Sequence, residues 1–371
     1  MRNYKYWNDK LASQELAEFT TSPEAMLWLK IHSITKRDVL NAFVKKENLK
    51  LKANNVEQKA IEIYDGIDES QISVWNDKLD AFFKETNAEQ LAALNIDQLK
   101  LDLYRIQHFK WGGDQNNSLD KYFVSHYVKS ISSYQELQTK LATEALPVVT
   151  NYVMASWYNH WTSIVIEHIF KRHPSVLPTV GQIKSIDFIV KGIPVDLKVT
   201  YLPKWFLSGE ISDYLKSLGL PPSELKALKD IAGKHKIRYS NIPENEQHAQ
   251  ILALLKDYSE EVYAEAVTLL DSIRNKAVEF AVAHKMELAK LLYENQGAMR
   301  FGSENRLYLV LIDKQDIQNS WEMKRDFGRL ETEINKYLDS FDVNSFLSKK
   351  IDFAYSGKQY TTHADVLFVI K

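Results

Sequence analysis

A chain of 371 residues, 45% apolar and 26% charged with a net charge of −2, has the balance of a globular protein with room for a large core and two domains. The absence of cysteine excludes disulfides, thiolate zinc sites, iron–sulfur clusters and a cysteine nucleophile. No apolar stretch has the length of a membrane span and Met1–Trp7 lacks the apolar core of a signal peptide, so a cytoplasmic protein with no membrane association is expected.

Residues 1–145 read as consecutive helices and are expected to form an all-helical domain. Ser22-Pro23-Glu24 is a helix start, serine capping and proline in the first turn. Thr35 to Asp38 starts another, with Val39, Leu40, Phe43 and Val44 as its apolar stripe, and Asn55, Ser70 and Asn87 read as further caps. A polar break at 112–118 precedes a predicted long helix from Leu119 to Ala145. The second region, 146–371, opens with a helix over Trp157–Phe170 that is apolar around most of its circumference and hence largely buried. Glu167 lies inside it and should have a partner, because an isolated buried carboxylate is costly.

Residues 185–200 read as a β-hairpin turning at Lys191-Gly192, where glycine supplies positive φ. A two-residue turn sets Val190 against Ile193, Phe188 against Val195 and Asp187 against Asp196. One face is then wholly apolar, and Asp187, Asp196 and Lys198 share the other. Opposed carboxylates repel; a divalent cation would remove the repulsion. A helical insertion spans about 205–298. Strand Arg306–Ile312, an amphipathic helix over Trp321–Leu338 and strand Ala364–Ile370 follow.

Glu167 on a helix, then Asp187 and Asp196-Leu197-Lys198 on a hairpin, resemble the PD-(D/E)xK nuclease superfamily, which includes most type II restriction endonucleases. Ile186 stands where that family often has proline. The resemblance implies an α/β (α+β) fold: an αβββαβ core with a mixed sheet, here within 146–371. It implies Mg²⁺ held by Asp187 and Asp196, with Glu167 and Lys198 completing the catalytic set. The expected activity is hydrolysis of phosphodiester bonds in double-stranded DNA, as a type II restriction enzyme. A homodimer would supply a site for each strand. The alternatives are a defence or repair nuclease that needs a partner protein, and a non-catalytic helical DNA-binding or scaffold protein with a nuclease-like core.

Basic residues that could contact DNA phosphates are Lys36, Arg37, Lys45 and Lys46 in one stretch and Lys234, Lys236 and Arg238 in another. Gln115, Asn116 and Asn117 carry donors and acceptors suited to base edges. Zinc-protease, phosphate-loop and nucleophile-elbow motifs are absent from the sequence.

Overall fold

The computed structural model describes residues 1–13, 17–105, 122–179, 186–239, 244–295, 304–355 and 357–371. The chain is α+β, with a mixed six-stranded sheet in the order β1-β2-β3-β4-β6-β5. The strands are β1 Val176–Pro178, β2 Phe188–Val190, β3 Ile193–Tyr201, β4 Arg306–Ile312, β5 Lys350–Tyr355 and β6 Lys358–Ile370. Contacts divide the described chain into two compact units. One comprises Met1–Leu197, Asn295–Leu307 and Lys324–His363; the other comprises Lys198–Glu294, Tyr308–Met323 and Ala364–Lys371. Among the described residues, no helix is long and apolar enough to cross a membrane.

The first unit begins with helices α1 Tyr4–Ala12, α2 Ala17–Thr21, α3 Pro23–Ser33, α4 Arg37–Lys46, α5 Val56–Asp65, α6 Ile72–Ala92 and α7 Ile96–Tyr104. Ser22 and Asn55 cap as their side-chain chemistry dictates: Ser22 accepts from the Ala25 N–H and Asn55 from the Gln58 N–H. Thr35 instead turns back to the His32 carbonyl, leaving Lys36 at the start of α4 without a side-chain cap. Asn87 lies within α6, and Ser70 lies in a short 3₁₀ turn before it. Helix α3 is buried on nearly every side; Trp28, Leu27, Leu29 and Ile31 anchor one core with Trp7, Phe43, Tyr64 and Phe83. That core also contains Leu177 of β1 and Ile189 of β2.

The expected helix over 119–145 divides differently in the described residues. Ser133 caps α8, Tyr134–Lys140, which runs through a π turn at Leu141–Ala145 into α9, Leu146–Arg172. Pro147 explains the turn: it has no N–H to donate, and its ring clashes with a normal helical carbonyl four residues back. The second half of α9 is buried through Tyr158, Thr162, Val165, Ile166, Ile169 and Phe170. Phe170 stacks on Phe188 of β2 with ring centroids 5.0 Å apart. The hairpin is therefore covered on both faces, Phe188 meeting α9 and Ile189 meeting the helical core. This is why β2 shows no polar alternation.

Asp326 caps Phe327–Asp339 and so splits the helix expected over 321–338; Phe327, Leu330, Ile334 and Leu338 form its buried stripe. In the second unit, helices Glu224–Lys234, Glu244–Tyr258 and Glu260–Ala283 pack together. Glu224 clamps them, accepting from Arg274 at 2.7 Å with His248 Nε2 at 3.1 Å. Burial pushes the Glu224 carboxyl up, but these hydrogen bonds prevail and hold its pKa below the ordinary value.

Candidate functional site

The hairpin has the register its sequence predicts, with Phe188 opposite Val195, Ile189 opposite Pro194 and Val190 opposite Ile193. Both turn residues have positive φ, 45° at Lys191 and 86° at Gly192, the combination that matches strand twist. The lysine is held there partly by its side chain, whose Nζ donates to the Phe341 carbonyl at 2.6 Å.

Beyond Phe188 the ladder departs from the expected register. The Asp187 N–H donates to the Val195 carbonyl at 2.9 Å, so Asp187 and Phe188 both stand opposite Val195, a β-bulge. The bulge redirects the Asp187 side chain. Its Oδ2 accepts from the Leu197 N–H at 2.7 Å. A carboxylate thus docks on the central residue of Asp196-Leu197-Lys198. The bulged backbone is fixed from the other side by Thr179 Oγ1, which donates to the Asp187 carbonyl at 2.8 Å.

Asp196 is 6% exposed. Its N–H donates to the Asn305 carbonyl at 2.9 Å, tying β3 to the chain entering β4. Its Oδ2 accepts from Arg306 Nε at 2.8 Å, and Arg306 Nη2 lies 3.5 Å from Glu304 Oε2. Arg306 is 1% exposed and Glu304 7%. One guanidinium thus serves two buried carboxylates, while the half-buried Asp187 meets β3 one residue on, at the Leu197 N–H. Thr362 Oγ1 holds the Glu304 carbonyl at 2.7 Å, and Asn305 Nδ2 donates to Thr20 Oγ1 and the Pro194 carbonyl. Glu304 and Arg306 were not singled out by the sequence reading. The available signal was a polar run, Glu304-Asn305-Arg306, leading directly into an apolar strand.

Lys198 lies two residues beyond Asp196 on β3 and is half-buried. Glu167 is also half-buried, and its partner is Lys171 one turn on, Nζ to Oε2 2.9 Å. Its recorded polar contact is therefore within α9, not with Asp187, Asp196 or Lys198.

Among the described residues, no group of three or more His, Asp or Glu side chains is arranged to hold a metal ion. Asp187 and Asp196 nevertheless offer hard carboxylate oxygens, the donor type Mg²⁺ takes. Arg306 already gives Asp196 a positive charge, so a metal ion would compete with it.

The basic stretch around α4 is smaller than its sequence suggests. Leu40 and Phe43 anchor the helix, leaving Lys36, Arg37 and Lys45 exposed. Lys46 pairs with Glu85, and Lys30 is buried against Asp80 with its pKa lowered by desolvation. In the second unit Lys234 pairs with Glu265 at 2.7 Å, while Lys236 and Arg238 are exposed. Gln115, Asn116 and Asn117 lie outside the described residues. Comparison with known proteins finds no match to a protein-family model, a curated protein or a solved structure.

Proposed function

We propose that the chain is a cytoplasmic, Mg²⁺-dependent endonuclease that hydrolyses phosphodiester bonds in double-stranded DNA, acting as a homodimeric type II restriction enzyme. The observation that carries this reading is the Asp187 carboxylate seated on the Leu197 N–H, within Asp196-Leu197-Lys198. Asp187 and Asp196 would hold the ion, which would polarise a phosphate oxygen and acidify a bound water. The Lys198 ammonium stabilises charge developing on the phosphate during attack. Val195 and Leu197 bury their side chains and keep β3 in place. Glu167, which pairs with Lys171, would complete the set by anchoring the site from α9 or by holding another ion.

One observation favours a second reading. A buried guanidinium on Asp196 neutralises it without metal, as suits a non-catalytic DNA-binding protein with a nuclease-like core. Incubation of the purified chain and of Lys198→Ala with plasmid DNA and Mg²⁺ separates the two. Cleavage by the parent and loss of it in the variant support the enzyme. Retained DNA binding with no cleavage by the parent under varied divalent ions supports the second reading.

A further inference from the structure

The first half of α9 exposes a seam of apolar and uncharged polar side chains. Leu146, Thr150, Val153, Trp157 and His160 are all exposed, and their spacing of four, three, four and three residues is that of one edge of a coiled coil. Leu146 is 65% exposed, Val153 56% and Trp157 38%, although the second half of the same helix is buried. Thr150 spends its hydroxyl on the Leu146 carbonyl at 2.9 Å, so it brings no unpaired donor to the seam. Between Glu144 and Glu167 the chain has no Asp, Glu, Lys or Arg.

We propose that this seam is a self-association surface occupied by the same helix of a second copy of the chain. The charge pattern selects that occupant. Nucleic acid needs cations, which the run lacks. A helix lying on a membrane surface carries Lys or Arg beside its apolar face, and this one does not. A charge-free seam of heptad spacing is matched by a helical segment with the same spacing and the same lack of charge, and the first half of α9 is such a segment. The pairing would be isologous, centred on Val153, the middle position of the five. Val153 then meets Val153 of the second copy whether the helices run parallel or antiparallel. This inference gives the homodimer of the proposed function a contact surface, but it is argued from the exposure and spacing of α9 and not from the Asp187–Asp196 site, whose cleavage activity is measured separately.

The absence of native cysteine makes the test direct. Full-length Val153→Cys is oxidised beside Val74→Cys, whose site on α6 is 54% exposed and serves as control. A covalent dimer from the first and not the second is expected. Sedimentation equilibrium compares the parent with Trp157→Glu, whose circular dichroism should be unchanged because the side chain is partly solvated. A charge brought into the seam should weaken the dimer by about tenfold or more. A monomeric parent across a wide concentration range overturns the proposal, whether the seam binds lipid or another part of the chain. So does a dimer indifferent to Trp157→Glu, or cross-linking of Val153→Cys no greater than that of the control.

Discussion

The Asp196 carboxylate and the Arg306 guanidinium meet at 2.8 Å where both side chains are almost wholly buried. Such a pair loses much of its Coulomb gain to desolvation, yet breaking it leaves a buried charge without its counterion. Glu304, 3.5 Å from the same guanidinium, compounds that cost. Arg306→Met should therefore lower unfolding free energy by about 3–5 kcal/mol. Adding Asp196→Asn to it should restore part of the loss, since one uncompensated charge is then removed. Urea denaturation of the parent, the single and the double variant measures this. A double variant less stable than Arg306→Met by the full cost of a separate mutation would show that the two side chains act independently. Mg²⁺ supplies a further readout: it should stabilise Arg306→Met more than the parent, because Asp196 no longer has Arg306 as a competitor for the ion.

Asp187 separates structure from chemistry. Its Oδ2 accepts the Leu197 N–H, and Leu197 is buried. Asp187→Asn keeps an acceptor oxygen, so the bulge should persist with stability within about 1 kcal/mol of the parent. Asp187→Leu removes the acceptor and should cost about 1–3 kcal/mol, the penalty of an unsatisfied buried N–H. If the site hydrolyses DNA, both variants should lose cleavage on the order of 10²–10³-fold, whatever their stability. Thermal melts beside cleavage rates give the comparison. An active Asp187→Asn would remove this carboxylate from the chemistry and leave it a structural cap.

Local signals recovered the hairpin and its turn because alternation and Lys191-Gly192 act over a few residues. The one-residue bulge at Asp187 did not show, since it depends on hydrogen bonds to Thr179 and Leu197 rather than on the apolar pattern. β1 was missed because it has three residues, too few to display a period. β5 did carry a signal: Ile351 and Phe353 are buried between exposed neighbours, ahead of Gly357, whose φ is 76°. The pairing of Arg306 with Asp196 spans 110 residues of chain, a separation no local pattern encodes. Glu167 was expected to sit in a buried environment. Its position at the edge of the buried stripe of α9 lets Lys171 reach it, which a helix that reads as apolar all round does not reveal.

Lys324 should give the protein an alkaline rise in stability. Its ammonium is buried, with Nζ 2.8 Å from Asn159 Oδ1, and desolvation brings its pKa down to about 8 from 10.5. Below pH 8 both folded and unfolded states carry the proton, and the cost of burying the charge is fully present. Between about 8 and 10.5 the unfolded chain binds more protons than the folded one, so stability rises with pH. The rise attributable to this group is about 3 kcal/mol at 1.36 kcal/mol per unit. Lys324→Met should be more stable than the parent at pH 7, and the difference should shrink towards pH 10. Urea midpoints of both proteins across that range test it. A constant difference would mean that Lys324 does not titrate there.

DNA affinity offers the last test, because the structure narrows which basic residues can act. Lys36, Arg37 and Lys45 are exposed at α4, whereas Lys46 is engaged by Glu85. Each phosphate neutralised by a lysine or arginine releases condensed counterions, contributing about 0.9 to the slope of log affinity against log salt. Replacing Lys36, Arg37 and Lys45 by glutamine should flatten that slope by up to about 2.7 while leaving the fold intact, since Leu40 and Phe43 anchor the helix from its opposite face. Lys46→Gln alone should change the slope little, because its charge is already balanced. Binding isotherms at several salt concentrations on a duplex of fixed sequence measure both. An unchanged slope in the triple variant would leave α4 a solvated helix and direct attention to Lys236 and Arg238, which are exposed in the second unit.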